Sequence, residues 1–256
     1  MANDFSGDSD VIALYNFENG ALVTDSKNSN TLTNNNSVAA DTVNFKEGAA
    51  SAAFNRATNT FLDITDTNLQ SDFPLKSGTS NNVFSILGWF RTLDVTRQGI
   101  INKYETIGNR RSLFLRAEAQ DLTIGMGYNS GASFESLYSG TVNVIANTVW
   151  YHYMLTFNNG VWRLRVWSDS TLTYVLTVNG TAVNNISLLD VPWVIGSYRP
   201  DDGGNSFDGN IDETVFFKRV VSDADQDSII AGTYTSGPSP ANIPVLSNSY
   251  KRRRAS

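Results

Sequence analysis

Phe207-Asp208-Gly209-Asn210-Ile211-Asp212-Glu213-Thr214-Val215-Phe216-Phe217-Lys218-Arg219 is the stretch of this chain that decides the fold. From Asn210 the side chains alternate, which predicts a β-strand because successive side chains leave opposite faces of a sheet. Gly209 predicts a bend where the chain enters this strand. The alternation assigns one face to Ile211, Glu213, Val215, Phe217 and Arg219, and the other face to Asn210, Asp212, Thr214, Phe216 and Lys218.

Four carboxylates lie close to the start of this predicted strand. They are Asp202, Asp208, Asp212 and Glu213. Several carboxylate and carbonyl oxygens in a flexible shell are what Ca²⁺ takes from proteins. The same residues also fit a solvated acidic turn, and the local sequence leaves both interpretations open.

The rest of the chain predicts an all-β protein. Short apolar runs such as 84–91, 149–157, 162–167 and 172–178 recur at regular spacing with turn signals between them, which is typical of a sandwich or barrel. The runs from 149 to 178 predict a meander across one sheet. One short helix is predicted from Asp223 to Ala231, with Ser222 as its N-cap and Asp225 completing a capping box.

Composition narrows the class of protein. Of 256 residues, 41% are hydrophobic, 11% aromatic and 17% charged, and the formal net charge is −6, which argues against general attraction to nucleic acid or anionic membranes. Cysteine is absent, so no disulfide or thiol chemistry exists. No apolar stretch is long enough to insert into a membrane, and no signal peptide is visible.

Several motifs, in order, resemble one family. They are Leu14-Tyr15-Asn16-Phe17-Glu18-Asn19-Gly20, Phe84-Ser85-Ile86-Leu87-Gly88-Trp89-Phe90, Trp150 to Phe157, and Phe207-Asp208-Gly209-Asn210-Ile211-Asp212-Glu213. This set resembles the laminin G-like or pentraxin-like domains of the concanavalin A-like lectin/glucanase superfamily. The resemblance implies a two-sheet antiparallel jelly-roll sandwich over residues 11–234. Residues 1–10 are expected to form a flexible leader and residues 235–256 a linker or tail.

The same resemblance implies a structural calcium ion. Asp25 and Asp212 match acidic positions that the family often uses for Ca²⁺, and Glu18 is the next candidate. The first and last strands of a jelly roll commonly lie in the same sheet, so these acids are expected to approach one another. The alternative is that they cap turns and strand ends.

Candidate ligand-binding residues combine aromatic rings with charged groups, because sugars stack on rings and hydrogen-bond to polar neighbours. The loop 197–206 supplies Tyr198, Arg199, Asp201 and Asp202, and we also select Trp167 and Arg110. The competing interpretation for each aromatic residue is packing at the edge of the core.

No catalytic motif is convincing. His152 is the only histidine and alternates within an aromatic strand, where a structural role is expected. Asp208-x-Asn210-x-Asp212 has the spacing of a glycosidase acid motif but lacks glutamates and the central acid. We therefore predict a protein that is not an enzyme.

The sequence thus predicts a non-catalytic carbohydrate-binding or adhesion module of a larger extracellular or cell-surface protein, with a glycan or glycoconjugate as partner. A protein–protein adhesion module without a sugar site is the alternative. A glycosidase or lyase on the same fold is less favoured, because the acid motif lacks its glutamates and His152 is the only histidine. Both alternatives stay open because fold alone does not decide function.

Overall fold

The computed structural model describes residues 3–140, 143–199 and 204–235. These residues form seventeen strands and one α-helix. The strands are β1 (Val11–Tyr15), β2 (Thr33–Asn35), β3 (Ala39–Asp41), β4 (Ser51–Phe54), β5 (Phe61–Ile64), β6 (Val83–Thr92), β7 (Gln98–Tyr104), β8 (Arg111–Glu118), β9 (Asp121–Tyr128), β10 (Ser133–Ser139), β11 (Trp150–Asn158), β12 (Val161–Ser168), β13 (Thr173–Thr181), β14 (Trp193–Ile195), β15 (Ser197–Arg199), β16 (Gly204–Ser206) and β17 (Gly209–Phe217). The helix α1 is Asp223–Ile230.

Two large antiparallel sheets form the sandwich. One has eight strands in the order β13-β12-β11-β6-β17-β4-β3, with β1 also paired to β17, and the other has seven in the order β10-β9-β8-β7-β14-β5-β2. A separate hairpin joins β15 to β16. The prediction of a two-sheet antiparallel jelly roll is confirmed, as is the meander β11-β12-β13 across one sheet.

Alternating side chains fill the space between the sheets. On β11, Tyr151, Tyr153 and Leu155 belong to the central core, while Met154 between them belongs to a second cluster. Phe84 and Phe157 stack in this core with their ring centroids 5.6 Å apart. Period-two alternation therefore separates the inter-sheet core from the opposite face of the eight-stranded sheet.

The helix covers that opposite face of the eight-stranded sheet. Its residue Ile229 packs in the second cluster with Leu87, Met154 and Val215. Ser222 accepts from the Asp225 amide at 3.1 Å, and the reciprocal bond completes the capping box, as the sequence predicts.

The N-terminal segment 3–10 packs on the same face, although the sequence predicted a flexible leader there. Phe5 is only 2% exposed, and its ring lies 5.1 Å from that of Tyr234. The Asp4 amide also donates to the Tyr234 carbonyl at 2.8 Å. An isolated apolar residue in a polar leader gives no periodic signal, so the sequence did not indicate this packing. The expected tail beyond Thr235 lies outside the described residues.

The alternation predicted for β17 breaks in its middle. Opposite β6, Asp212 pairs with Trp89 and Val215 with Leu87, so β17 contains one extra residue, a β-bulge. Ile211 and Phe216 therefore face the central core, whereas Val215 and Phe217 join the second cluster. The prediction that Ile211, Val215 and Phe217 share a face was wrong, because the bulge shifts the phase by one residue.

Across the described ranges, no helix is long and apolar enough to cross a membrane.

Candidate functional sites

The bulge in β17 lies where this strand changes partner. Its residues Gly209–Ile211 pair with β4, and those from Thr214 onward pair with β1. Between the segments paired with β4 and β1, the Asp212 carboxylate accepts the backbone hydrogen bonds that a neighbouring strand would otherwise form. Its Oδ2 accepts from the amides of Lys46 at 2.8 Å and Glu47 at 3.0 Å. The break in pairing thus leaves an opening at Asp212 and Glu213.

A cavity of about 210 Å³ occupies this opening, and we call it the acidic pocket. The Asn3 amide donates to both Glu213 oxygens at 3.3 Å, and Glu18 accepts from the Ala49 amide at 3.1 Å. A Cβ at Gly48 would lie 1.6 Å from Glu18 Oε1, so glycine is required for this approach. The pocket is lined by Asn3, Phe5, Leu14, Asn16, Glu18, Glu47, Gly48 and Glu213.

The carboxyl groups around the acidic pocket are hard to ionise together. Burial raises the pKa of Asp212 to about 7 against the lowering effect of three backbone amides, and the Glu18 carboxylate raises it further. Burial raises the pKa of Glu213 to about 8, with added repulsion from Glu47 and Asp212. Both shifts mean that the folded protein favours a proton or another cation here near neutral pH.

Asp25 does not join this pocket. It organises its own loop: Oδ1 accepts from the amides of Leu14 at 3.0 Å and Lys27 at 2.9 Å, and Oδ2 from the amide and side chain of Asn30. Both oxygens are therefore used in capping, the alternative role considered from the sequence. Of the three predicted metal ligands, only Glu18 and Asp212 lie close enough to interact.

The acidic pocket has donor groups of the kind that Ca²⁺ requires, since three carboxylates and the side-chain amide of Asn16 can supply hard oxygens. In the described part of the chain, no group of three acidic or histidine side chains is placed to hold one metal ion, so Ca²⁺ binding would require the side chains that line the pocket to move. The residues that would hold the ion are Glu18, Glu47 and Glu213, and the charge it would supply matches the buried carboxyl groups.

A second opening, of about 480 Å³, lies where the start of β1 meets the end of β17, and we call it the polar cleft. The ion pair between Lys218 and Asp72, 2.9 Å long, separates it from a cavity of about 270 Å³. The lining of the polar cleft is Ser9, Val11, Ile12, Lys27, Asn28, Gln70, Ser71, Asp72 and Lys218.

Side-chain contacts hold the two loops that line the polar cleft. Asn28 donates to the Ile12 carbonyl at 2.8 Å, which fixes the loop after β1. The loop after β5 is anchored by an ion pair of 2.6 Å between Asp66 and the fully buried Lys103. Within the described residues, the side-chain nitrogen of Gln70 and the hydroxyl of Ser71 have no hydrogen-bond partner. The cleft therefore presents free polar groups on a fixed frame.

Tyr198, selected from the sequence for ligand binding, is only 6% exposed. The β15–β16 hairpin folds it onto the outer face of the seven-stranded sheet, where it stacks on Tyr104 with ring centroids 5.3 Å apart. The Arg116 guanidinium lies 4.7 Å from the Tyr198 ring centroid. Arg110, in the loop between β7 and β8, forms an ion pair with Glu105 and is half exposed.

Trp167 lies on the other sheet, so it shares no site with Tyr198. Its ring meets that of Trp89 edge to face, with centroids 5.9 Å apart. The backbone of Arg199 belongs to β15, but its side chain lies outside the described residues, as do Asp201 and Asp202. The described residues thus do not bring the candidate ligand contacts together.

The residues weighed for catalysis are buried in structural contacts. His152 is 1% exposed, and its Nδ1 lies 3.2 Å from the side-chain nitrogen of Gln226 on α1. Burial lowers the pKa of His152 to about 3, with a smaller effect from Arg165. Asn210 donates to Asp41 at 3.0 Å and to Ser51 at 3.1 Å, so the central position of the Asp208-x-Asn210-x-Asp212 motif is held in structural contacts.

The sequence reasoning missed Glu47 and the residues of the polar cleft. Glu47 stands alone in a loop, and only its place before the small-residue strand Ser51–Phe54 marks it. Gln70 and Ser71 lie in a long polar loop where many side chains are equivalent from sequence alone. Only the folded arrangement identifies them.

Comparison with known proteins gives one family and several similar folds. The sequence profile of the Laminin_G_3 family, described as concanavalin A-like lectin/glucanases superfamily, matches residues 63–225. No curated protein matches the sequence. Domain 4 of AbnA, a GH43 extracellular arabinanase from Geobacillus stearothermophilus solved with arabinotriose, is similar with a TM-score of 0.57 and 13% identity, over 88% of this chain and 98% of that domain.

Two structures of botulinum neurotoxins also have a similar fold. The botulinum neurotoxin serotype D binding domain has a TM-score of 0.63 and 15% identity, over 87% of this chain and 52% of that one. A structure of botulinum neurotoxin type C, whose cell entry depends on two ganglioside molecules, has a TM-score of 0.59 and 12% identity, over 88% and 52%. This chain thus spans about half the length of the toxin chains, and at these identities the likeness concerns the fold.

Proposed function

Because this chain belongs to the concanavalin A-like lectin/glucanases superfamily, we propose that it is a non-catalytic carbohydrate-binding module whose ligand occupies the polar cleft. The observation that carries the proposal is the cleft itself, with free amide and hydroxyl groups beside Val11 and Ile12. The module belongs to a larger extracellular or cell-surface protein, which it attaches to a glycan-bearing surface.

The chemistry of the polar cleft suits sugar hydroxyl groups. A hydroxyl donates and accepts, and the side chains of Gln70 and Asn28 offer both kinds of partner on a rigid plane. Lys218 and Asp72 add a cation and an anion, whose hydrogen bonds are stronger than neutral ones. A volume of about 480 Å³ lies within the range of small-ligand sites.

The similar folds support this class of ligand. The AbnA domain was solved with a trisaccharide, arabinotriose, and the type C toxin interacts with gangliosides, which carry sugars. The burial of His152 and Asn210 supports a non-catalytic role, since these residues do not reach a substrate.

We further propose that Ca²⁺ binds in the acidic pocket and acts structurally. Glu18, Glu47 and Glu213 would hold the ion beside Asp212, and its charge would remove the cost of ionising buried carboxyl groups. The ion would stabilise the junction of β1, β4 and β17 without taking part in a reaction.

A glycan array on the purified chain, followed by calorimetry with the glycan it selects, tests the proposal. Lys218→Ala and Gln70→Ala should each weaken affinity about tenfold, the loss expected when a charged or well-placed hydrogen bond is removed. Lys46→Ala is the matched control, because Lys46 forms a comparable surface ion pair with Asp169, 2.5 Å long, outside the cleft.

Binding that survives both cleft variants would place the sugar site elsewhere, and an array without a glycan hit would contradict the proposed function. Release of reducing or unsaturated ends from a bound polysaccharide would show an enzyme instead. Each result is distinct from the others.

A further inference from the structure

Within the described residues, the two sheets have five outer edge strands, and they differ in how far they are protected against pairing with another strand. The loop after β1 covers the free edge of β1, because Ser26 donates to the Leu14 carbonyl and Asn28 donates to the Ile12 carbonyl. β2 and β3 have three residues each. β10 has seven, but a register shift between Ser136 and Tyr138 interrupts it, and it carries Glu135. β13 has nine residues. Short strands, bulges and charges are the usual means of preventing edge-to-edge association. β13 also contains a register shift, but it is the longest of these edge strands and carries no charge.

The second edge of β13 is free within the described residues. All its backbone pairing is with β12, from Val161 opposite Thr181 to Ser168 opposite Thr173. A register shift beside Trp167 limits the regular part of β13 to Leu176–Thr181. In that part, Thr177, Asn179 and Thr181 are exposed. Unpaired N–H and C=O groups along this edge can accept a further strand.

No charged residue and no proline occurs from Thr171 to Leu189. Lysine, glutamate or proline at an edge disfavours a second strand, through charge repulsion or the loss of an N–H. Threonine and valine, which favour strands, make up most of β13. The edge therefore has the composition of an internal strand although it lies at the border of a sheet.

The two ends of β13 also carry exposed aliphatic side chains. Leu172, immediately before the strand, is 69% exposed, and Val183, just after it, is 90% exposed. In an antiparallel pair related by a two-fold axis, the beginning of one strand lies beside the end of the other. Each Leu172 would then approach Val183 of the partner subunit, and the contact would occur twice.

We propose that two copies of this chain pair through their β13 edges, which joins the two eight-stranded sheets into one continuous antiparallel sheet. A second copy fits better than a charged partner strand, because the edge offers no charge to select one and its aliphatic ends are complementary to each other. Like charges opposed across a two-fold axis are avoided, since the strand has none. The pairing goes beyond glycan binding, and it gives the dimer two polar clefts and hence multivalent attachment.

The contact between two strand edges is small, so the dimer should form in a concentration-dependent manner. Sedimentation velocity of the full chain over a wide concentration range measures it. Thr177→Glu should abolish the dimer, because two carboxylates meet near the two-fold axis, whereas Arg165, opposite Thr177 on β12, accommodates one in the monomer. Ser136→Glu is the matched control, on the exposed and already interrupted edge β10.

Dimerisation of the parent and of Ser136→Glu, with Thr177→Glu monomeric at an unchanged melting temperature, would support the proposal. A chain that stays monomeric at every concentration would overturn it. So would a dimer that Thr177→Glu leaves intact or that both variants abolish. Thr181→Glu, at an exposed position at the end of the strand, replaces Thr177→Glu should that variant melt at a lower temperature than the parent. Its monomeric state would then support the pairing, and its dimerisation would overturn it.

Discussion

Glu213 carries two unfavourable features at one residue. Its φ of 44° places a non-glycine residue in the left-handed region, and its side chain is 7% exposed beside other acids. Such combinations persist only where surrounding contacts hold them, here the Asn3 amide and the bulge in β17. Glu213 therefore combines backbone strain with a buried carboxyl group, and the acidic pocket forms beside it.

The pKa of Glu213 predicts a pH dependence of stability in metal-free buffer. Its folded value of about 8 lies above the ordinary 4.5, so the folded state binds more protons and its stability falls as the pH rises. The stabilising effect of the bound proton is complete below pH 4.5 and is lost by about pH 8. Glu213→Gln should make this slope shallower, leaving the part that Asp212 contributes below about pH 7, and gain on the order of 2–3 kcal/mol at pH 8, measured by urea unfolding with chelator present.

Glu118→Gln provides the contrast for the pH experiment. Burial opposes ionisation of Glu118, but hydrogen bonds and ion pairs with Arg97 and Arg116 outweigh it and lower its pKa. Its contribution is present above the ordinary pKa and lost as the pH falls, so this variant should keep the slope between about pH 5 and 8. A parent protein whose stability rises over that range would contradict the assignment of Glu213.

At the scale of elements, period-two alternation predicted the existence of the long strands and the helix cap well. The bulge in β17 escaped prediction, because one extra residue changes the face without changing the composition. The prediction for Tyr198 was also affected by the local sequence. Its polar loop suggested an exposed ring, but β15 folds back and buries the ring on Tyr104. Asp25 was recognised as acidic and close to β1, but hydrogen bonds to its own loop decide its role.

The sequence predicted a flexible leader at the N-terminus, but segment 3–10 packs on the fold. Phe5 packs against Phe217 with ring centroids 6.2 Å apart and against Tyr234. Phe5→Ala should lower the free energy of unfolding by about 3 kcal/mol, because it leaves a cavity in a buried cluster. Chemical denaturation measures this loss. Phe45→Ala, at a ring 38% exposed, should cost less than about 1 kcal/mol. A loss for Phe5→Ala as small as that for Phe45→Ala would mean that segment 3–10 does not belong to the folded domain.

On the scale of the whole molecule, the two candidate sites share the same elements. Segment 3–10 and β1 line the acidic pocket through Asn3, Phe5 and Leu14, and the polar cleft through Ser9, Val11 and Ile12. Lys27, on the cleft side, donates to the carbonyl of Ser6 at 2.6 Å. A cation bound in the acidic pocket would therefore hold in place the backbone that also lines the polar cleft.

Thermal melting in excess Ca²⁺, in chelator and in Mg²⁺ tests this coupling. Binding to the native state alone adds about 2.7 kcal/mol at a free ion concentration 100 times Kd, or about 5–10 °C in Tm for a domain of this size. Glu47→Gln and Glu18→Gln should abolish the Ca²⁺-specific rise, since both side chains line the acidic pocket.

Asp25→Ala, the control for the melting experiment, should lower Tm equally in Ca²⁺ and in chelator, because Asp25 caps its loop. Glycan affinity measured in the same buffers should fall in chelator for the parent and stay constant for Glu47→Gln. A Tm rise that survives Glu18→Gln and Glu47→Gln would place the ion elsewhere. If no rise occurs, protons rather than Ca²⁺ balance the charge of Asp212 and Glu213, and the pH slope of the parent should then persist in Ca²⁺ buffer.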